Sequence, residues 1–212
     1  GSLNLDVQRL SIVCDTQVYD AVKAICNHET HFGLTSVIID GWDSLEEMMV
    51  ERILDQHDAQ VLDEVAGGFG AGKVIAAQDV RTLLALLDCL IDCGISVIII
   101  GHQIDAYTEI MTGSEKTSYD RITINTINKK TGPILMEWAD AVLYAGSETV
   151  TIRNCAGVQE TETRRMLYTA GNSVFDAKNR IGLPEKLPLS VEALQLIMKT
   201  KKKEDTESAE QK

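Results

Sequence analysis

Two short apolar runs end in polar residues that could bind a phosphate group or a metal ion. Residues 35–40 (TSVIID) end in Asp40, and residues 95–103 (ISVIIIGHQ) end in His102 and Gln103. A carboxylate such as that of Asp40 can hold Mg²⁺ directly or through water, and an amide such as that of Gln103 can hydrogen-bond a terminal phosphate or an attacking water. Both positions also have a plain structural use, because helix caps and strand ends need polar side chains.

The apolar residues before these polar groups predict buried strands. Runs of β-branched residues without polar alternation are typical of strands that are covered on both faces, as in a parallel α/β sheet. In open parallel sheets, ligands bind beyond the carboxyl ends of the strands. We therefore expect Asp40, His102 and Gln103 to face one crevice at that edge of the sheet.

Helical periodicity predicts three helices around these two strands. A short strand over residues 9–14 leads into the first helix, which Asp15 or Thr16 caps and which ends near residue 27. The second helix follows Asp40, with Asp43 or Ser44 as its N-cap. The third carries an apolar stripe that ends at Gly94, just before the second strand. Strand, helices and strand in this order predict a right-handed crossover between parallel strands.

The second half of the chain predicts a loop, a helix and a hairpin. Residues 104–130 show no sustained periodicity and predict a long loop, with a short strand at 121–126. A helix is predicted from the Gly132-Pro133 dipeptide to residue 139, followed by a strand at 141–145. Alternation in residues 150–153 and 165–169 predicts an antiparallel hairpin at one edge of the sheet. The predicted fold is thus a mostly parallel α/β sheet with flanking helices, one domain over residues 1–198, and a charged, disordered tail over 199–212.

A glycine-rich stretch, residues 67–73 (GGFGAGK), matches the spacing of a phosphate-binding loop. Val74 stands where that motif has the Ser or Thr that reaches Mg²⁺, and the preceding residues 60–66 are polar and helical instead of forming a buried strand. The context favours a flexible glycine loop over a Walker A motif.

The charge and the cysteine content indicate which kinds of partner and which cellular compartment suit the chain. The formal net charge of −12 argues against a protein coated in a nucleic-acid-binding surface, so any such contact must be local. No apolar run approaches the roughly 20 residues that a membrane span needs. The five cysteines are an odd, scattered number, which favours a reducing cytoplasm and buried structural thiols over disulfides or a metal site.

Two groups of basic residues could contact phosphates. Lys178 and Arg180 lie two residues apart, and such a pair can neutralise charge on a transferred phosphoryl group or can simply be solvated at the surface. The predicted loop contributes further local cations that could contact DNA, namely Lys116, Arg121, Lys129 and Lys130.

Five stretches in order resemble the RecA-type ATPase core, a P-loop NTPase of the AAA/RecA kind, and more closely the phage-encoded RecA-like proteins of single-strand annealing recombination. The resemblance covers nearly all of residues 5–190. Its most specific stretches are residues 37–40 (VIID), 67–70 (GGFG), 98–103 (IIIGHQ), 137–144 (EWADAVLY) and 176–184 (DAKNRIGLP).

The resemblance implies roles for the residues already singled out. Asp40 would be the Walker B carboxylate that handles Mg²⁺ beside ATP, and Gln103, next to His102, would sense the phosphate. A mobile loop after them would face single-stranded DNA, and Lys178 and Arg180 would act on the nucleotide of a neighbouring subunit in a homo-oligomer. The setting would be the cytoplasm of a phage-infected or prophage-carrying bacterium.

The strand, Walker A loop and helix with which RecA-like domains begin would lie before Gly1. We therefore expect this polypeptide to bind ATP weakly and to hydrolyse it negligibly. The alternative is a degenerate RecA-like scaffold that binds a protein partner without ATPase activity. A small-molecule enzyme on another doubly wound fold is disfavoured, because the sequence has no nucleophile elbow and no dinucleotide-binding fingerprint.

Overall fold

The computed structural model describes residues 7–112, 115–153 and 159–197, and it confirms a mixed α/β chain. These residues form helices and short or medium strands that belong to four small sheets. In chain order the elements are α1 (Thr16–Asn27), β1 (Ser36–Asp40), α2 (Trp42–Gln56), α3 (Ala71–Asp92), β2 (Ser96–Ile100), β3 (Gln103–Thr112), β4 (Glu115–Ile124), α4 (Thr131–Trp138), β5 (Ala141–Val142), β6 (Tyr144–Arg153), β7 (Gln159–Tyr168), β8 (Lys178–Asn179) and β9 (Lys186–Pro188).

The chain divides into two compact units. The first runs up to His102 and also contains Thr126–Ile134. The second contains Gln103–Asn125 and the chain from Leu135 onward. Among the described residues, no helix is both long and apolar enough to cross a bilayer. The proposed tail over 199–212 lies outside the described residues.

The sheet of the first unit is the parallel pair β1–β2, as the two apolar runs predict. The strands pair in register from Ser36 opposite Ser96 to Asp40 opposite Ile100. The predicted coverage of both faces is wrong, because Ile38 is 56 % exposed and Ile100 is 48 % exposed. Within the described residues no further strand pairs with β1 or β2, so the larger parallel sheet is found only in part.

Three helices build the core of the first unit. The apolar stripes predicted for α2 and α3 are confirmed, and α3 contacts α1, α2 and β2. Residues 9–12 have no regular structure, so the predicted strand before α1 is wrong. The buried residues of the two stripes are Leu45, Met49 and Ile53 on α2 and Val80, Leu83, Leu84 and Leu87 on α3.

Arg52 links all three helices through two carboxylates. Its Nε donates to Asp15 at 2.8 Å, and its Nη2 donates to Asp79 at 2.6 Å. Asp15 occupies the N-cap position of α1, but its side chain makes no capping hydrogen bond. The guanidinium of Arg52 instead binds the buried carboxylate of Asp15. The prediction that the Asp15 side chain caps α1 is therefore wrong.

Residues 103–112 and 115–124 form a pair of antiparallel strands, which corrects the predicted loop. β3 and β4 pair over their whole length, from Gln103 opposite Ile124 to Thr112 opposite Glu115. The sequence places the dipeptide Gly113-Ser114 between them, a composition that hairpin turns favour. Polar residues interleave with Ile, Thr and Tyr throughout, so neither face carries a clear apolar signal, although these residue types favour strands.

The rest of the second unit is also antiparallel. The predicted hairpin is confirmed as β6–β7, but β9 joins it in a separate three-stranded sheet instead of extending the parallel one. The predicted strand over 141–145 is interrupted at Leu143. β5 ends just before it, at Val142, and pairs with β8. The rings of Tyr144, Tyr168 and Phe175 pack together with centroids 4.6–5.8 Å apart; Tyr144 stacks on both others, which are tilted to each other.

The cysteines are less buried than the sequence predicts. Cys14 and Cys89 are exposed, whereas Cys26 and Cys93 are half-buried. Burial, together with the neighbouring thiols of Cys93 and Cys89, raises the pKa of Cys26. The described residues contain no group of three or more His, Cys, Asp or Glu side chains that could hold a metal ion, and Cys155 lies outside them.

Candidate functional site

The carboxyl ends of β1 and β2 lie side by side in the first unit. Asp40 ends β1 opposite Ile100, and its side chain is exposed. The next residue, Gly41, donates its N–H to the Ile100 carbonyl at 3.0 Å and adopts a φ of 102°, a left-handed conformation that favours glycine. This turn lets α2 begin directly at the edge of the sheet.

An aspartate–histidine pair occupies the same edge. Nδ1 of His102, two residues after β2, lies 3.0 Å from both carboxylate oxygens of Asp43, in the first turn of α2. Burial alone would raise the pKa of Asp43, but hydrogen bonds from His102 and from the Asp43 backbone outweigh it and lower that pKa. Asp43 was predicted as a helix cap, yet Gly41 takes the N-cap position, and the Asp43 carboxylate binds the histidine.

The remaining residues of the predicted phosphate site lie in the second unit. Gln103 is the first residue of β3 and is exposed. The ammonium group of Lys178 donates to the carbonyl oxygens of Met136 at 2.8 Å, Glu137 at 2.8 Å and Ala139 at 2.5 Å. Lys178 therefore caps the carboxyl end of α4, while the side chain of Arg180 is exposed. Burial and the nearby Arg180 charge lower the pKa of Lys178.

The capping role of Lys178 can be measured. We expect Lys178→Met to lower the free energy of unfolding by about 1.5 kcal/mol, because a hydrogen bond from a charged group contributes about that much and water replaces part of it. Urea unfolding followed by tryptophan fluorescence, to which Trp42 and Trp138 both contribute, reports the change. The matched control Arg180→Met should stay within about 0.5 kcal/mol of the unaltered chain. Equal effects of the two substitutions would contradict the capping role.

The predicted DNA-contacting cations differ in their surroundings. Arg121 forms an ion pair with Asp176 at 2.5 Å. Lys129 and Lys130 are exposed and lie in the first unit, just before α4. Lys116 lies on β4, and its side chain is outside the described part of the structure.

A buried carboxyl group near this segment was missed by sequence reasoning. Glu46 of α2 is 1 % exposed and accepts hydrogen bonds from the backbone N–H groups of Ile127 at 3.1 Å and Asn128 at 3.3 Å. Oγ1 of Thr131 lies 2.5 Å from Glu46 Oε1 and 2.7 Å from the Asn128 carbonyl oxygen. Burial raises the pKa of Glu46 and outweighs these hydrogen bonds, which lower it. The network fixes the backbone that presents Lys129.

A sequence signal for this glutamate exists. Glu46 stands four residues after Trp42 and three before Met49, so it lies within the apolar stripe of α2. A charged residue in a buried stripe needs partners, because an unpaired buried charge is costly.

The glycine-rich stretch turns the chain into α3. Residues 57–64 form turns and bends, a short 3₁₀ helix covers Val65–Gly67, and α3 begins at Ala71. No strand directly precedes the stretch, and Lys73 pairs with Asp63 at 2.7 Å. Gly72 is buried, and a Cβ atom there would lie 2.2 Å from the carbonyl oxygen of Leu62. Close packing therefore accounts for this glycine.

Comparison with known proteins identifies the family. A family model described as an AAA domain matches residues 1–181. No significant match was found among curated proteins or among solved structures. The match spans the parallel strands, α1–α4 and the segment with Lys178 and Arg180. The chain therefore belongs to the AAA domain family, whose members are P-loop NTPase-like.

Proposed function

We propose that the chain binds a nucleoside triphosphate together with Mg²⁺ at the carboxyl edge of β1 and β2. The observation that carries this proposal is the parallel pairing that brings the exposed Asp40 and the Asp43–His102 pair to one edge. Ligands of open α/β sheets bind at this edge. Family membership supports the ligand class, because AAA domains usually bind ATP with Mg²⁺.

The residues at this edge fit a magnesium ion that the nucleotide brings with it. Mg²⁺ is commonly held by one or two carboxylates, several waters and substrate phosphates instead of an all-protein cage. Asp40 supplies such a carboxylate, and the described residues offer no cluster that could hold a metal on its own. We therefore expect Mg²⁺ alone to bind weakly and Mg²⁺ with nucleotide to bind better.

Titration of the ¹⁵N-labelled chain with Mg·ATP tests the proposal. We expect backbone amide shifts around Asp40 and His102, with saturation at weak affinity. Asp40→Asn should reduce the affinity in the presence of Mg²⁺ about tenfold, because a direct charged metal ligand is lost. Asp20→Asn, on the exposed side of α1, removes the same charge and should leave the titration unchanged.

Two outcomes would contradict this function. Amide shifts confined to other surfaces would show that the nucleotide does not bind at the edge of β1 and β2. If no nucleotide changed the amide shifts or the melting temperature, the scaffold alternative would be favoured. Steady ATP turnover would contradict the expectation of negligible hydrolysis but would support nucleotide handling.

Contact with single-stranded DNA is a second proposed activity, supported by the exposed Lys129 and Lys130. Replacing both with alanine should reduce the slope of log K against log salt by about 1.4 for an oligonucleotide, if each lysine neutralises one phosphate. Salt titrations of a labelled oligonucleotide measure that slope, and an unchanged slope would exclude this segment. Self-assembly and a role in phage recombination stay predictions.

A further inference from the structure

The hydrogen bond between His102 and Asp43 decides which ring nitrogen faces a ligand. A carboxylate can only accept hydrogen bonds, so Nδ1, which lies 3.0 Å from both Asp43 oxygens, must carry a hydrogen. Nε2 is then the nitrogen left for solvent or for a bound molecule. The His102 side chain is 79 % exposed, whereas that of Asp43 is 16 % exposed, so the carboxylate is the fixed member of the pair.

The charge of the pair depends on the protonation of Nε2. With Nε2 unprotonated, the pair carries a net charge of −1 and presents an acceptor, which repels a phosphate oxygen. With Nε2 protonated, the pair is neutral overall and presents an N–H donor beyond the ends of the strands. Histidine is the one side chain whose ordinary pKa places this change between about pH 5 and 8.

The other titratable group brought to this edge by β1 is Asp40, and α2 contributes Asp43. Hydrogen bonds from His102 and from its own backbone outweigh burial and lower the pKa of Asp43. Asp43 therefore stays charged when the imidazole ring gains a proton, so it does not supply the change in charge.

We infer that phosphate binding at this edge is coupled to proton uptake: Asp43 is a positioning residue that holds Nδ1–H of His102, and the Nε2–H of the resulting imidazolium donates to a terminal phosphate oxygen of the bound nucleoside triphosphate. This inference rests on the proposed function and adds the contacting atom, the positioning residue and the pH dependence of binding. Binding then consumes one proton from solvent, and no covalent bond is made or broken.

The experiment measures the affinity of the full chain for Mg·ATP by amide shifts at about pH 6 and about pH 8. Part of the pH dependence of binding comes from protonation of the ligand itself. In addition to that part, we expect binding to weaken about tenfold at the higher pH. His102→Gln should retain only the ligand's own dependence. His57→Gln, which removes another exposed histidine, should behave like the unaltered chain.

A spectroscopic measurement separates positioning from mere structural support. In the unaltered chain, ¹⁵N shifts of the neutral His102 ring should show hydrogen on Nδ1 and none on Nε2. Asp43→Asn should remove this preference and weaken binding at the lower pH several-fold, while the shifts of α3 remain in place.

Each outcome bears on a different proposal. An Nε2–H tautomer in the unaltered chain, or the same pH dependence in His102→Gln as in the unaltered chain, would overturn this inference and leave nucleotide binding standing. A lack of nucleotide binding at both pH values would overturn the proposed function and the inference with it.

Discussion

Replacing Glu46 with alanine should lower the free energy of unfolding by about 3 kcal/mol, because it removes the acceptor of two backbone N–H groups in a buried site. The hydroxyl of Thr131 loses one of its two partners as well and keeps the Asn128 carbonyl oxygen. Urea unfolding followed by helical circular dichroism measures the change, since α1, α2 and α3 all belong to the first unit. Glu47→Ala removes an exposed charge from the next position of α2 and should change stability by less than about 0.5 kcal/mol. Similar effects of the two substitutions would contradict the network.

The same site should make stability depend on pH. Oγ1 of Thr131 has one hydrogen but lies close to two oxygens, Glu46 Oε1 and the Asn128 carbonyl. Burial in this site favours the neutral carboxyl group of Glu46 over the charged carboxylate, and it outweighs the hydrogen bonds that favour the charge. The raised pKa of Glu46 means that this stabilisation is present below the pKa of the unfolded chain and is lost as pH rises through the folded pKa. Glu46→Gln should remove this dependence, so wild-type stability relative to the variant should fall with rising pH.

Alanine at position 72 should cost about 3 kcal/mol, although alanine is the better helix former. Its Cβ would lie 2.2 Å from the Leu62 carbonyl oxygen and 2.9 Å from the Cβ of Val65. Both atoms belong to the packed turn before α3, so the backbone must shift to make room. Denaturant unfolding by helical circular dichroism measures the loss.

A substitution nearby supplies the control for Gly72→Ala. Gly70 has a φ of 77°, and a side chain there would meet no atom within 4 Å. Asparagine tolerates the left-handed conformation, so Gly70→Asn should cost less than about 1 kcal/mol. If Gly72→Ala were no more destabilising than Gly70→Asn, the close approach of Leu62 would not govern this turn.

The elements predicted best from the sequence are those with a strong local signal. The apolar runs ending at Asp40 and Ile100 predict parallel strands, and the stripes of α2 and α3 predict their buried faces. The β3–β4 hairpin was missed because its strands alternate without an apolar face. The sequence overestimates the burial of β1. β-branched residues indicate that a strand forms, whereas the elements packed against the strand decide how exposed its faces are.

The sequence predicts residues of the candidate site only where a polar residue directly follows a predicted strand. Asp40 and His102 were identified because polar residues follow apolar runs. For Asp43 the sequence predicts only a helix cap, because its bond to His102 joins residues 59 positions apart and leaves no local pattern. Lys178 shows the same limit, because a lysine in an extended segment gives no sign that a helix end lies within its reach.

The two ion pairs of Arg52 limit which residues can replace it. One cation serves two anions there, through two nitrogens of a rigid plane, so the spacing between Asp15 and Asp79 is set by the width of that plane. A lysine places the same charge on one nitrogen atom, which does not match two carboxylates spaced by the width of that plane. We therefore expect no other natural side chain to replace Arg52 unless a second substitution neutralises Asp15 or Asp79.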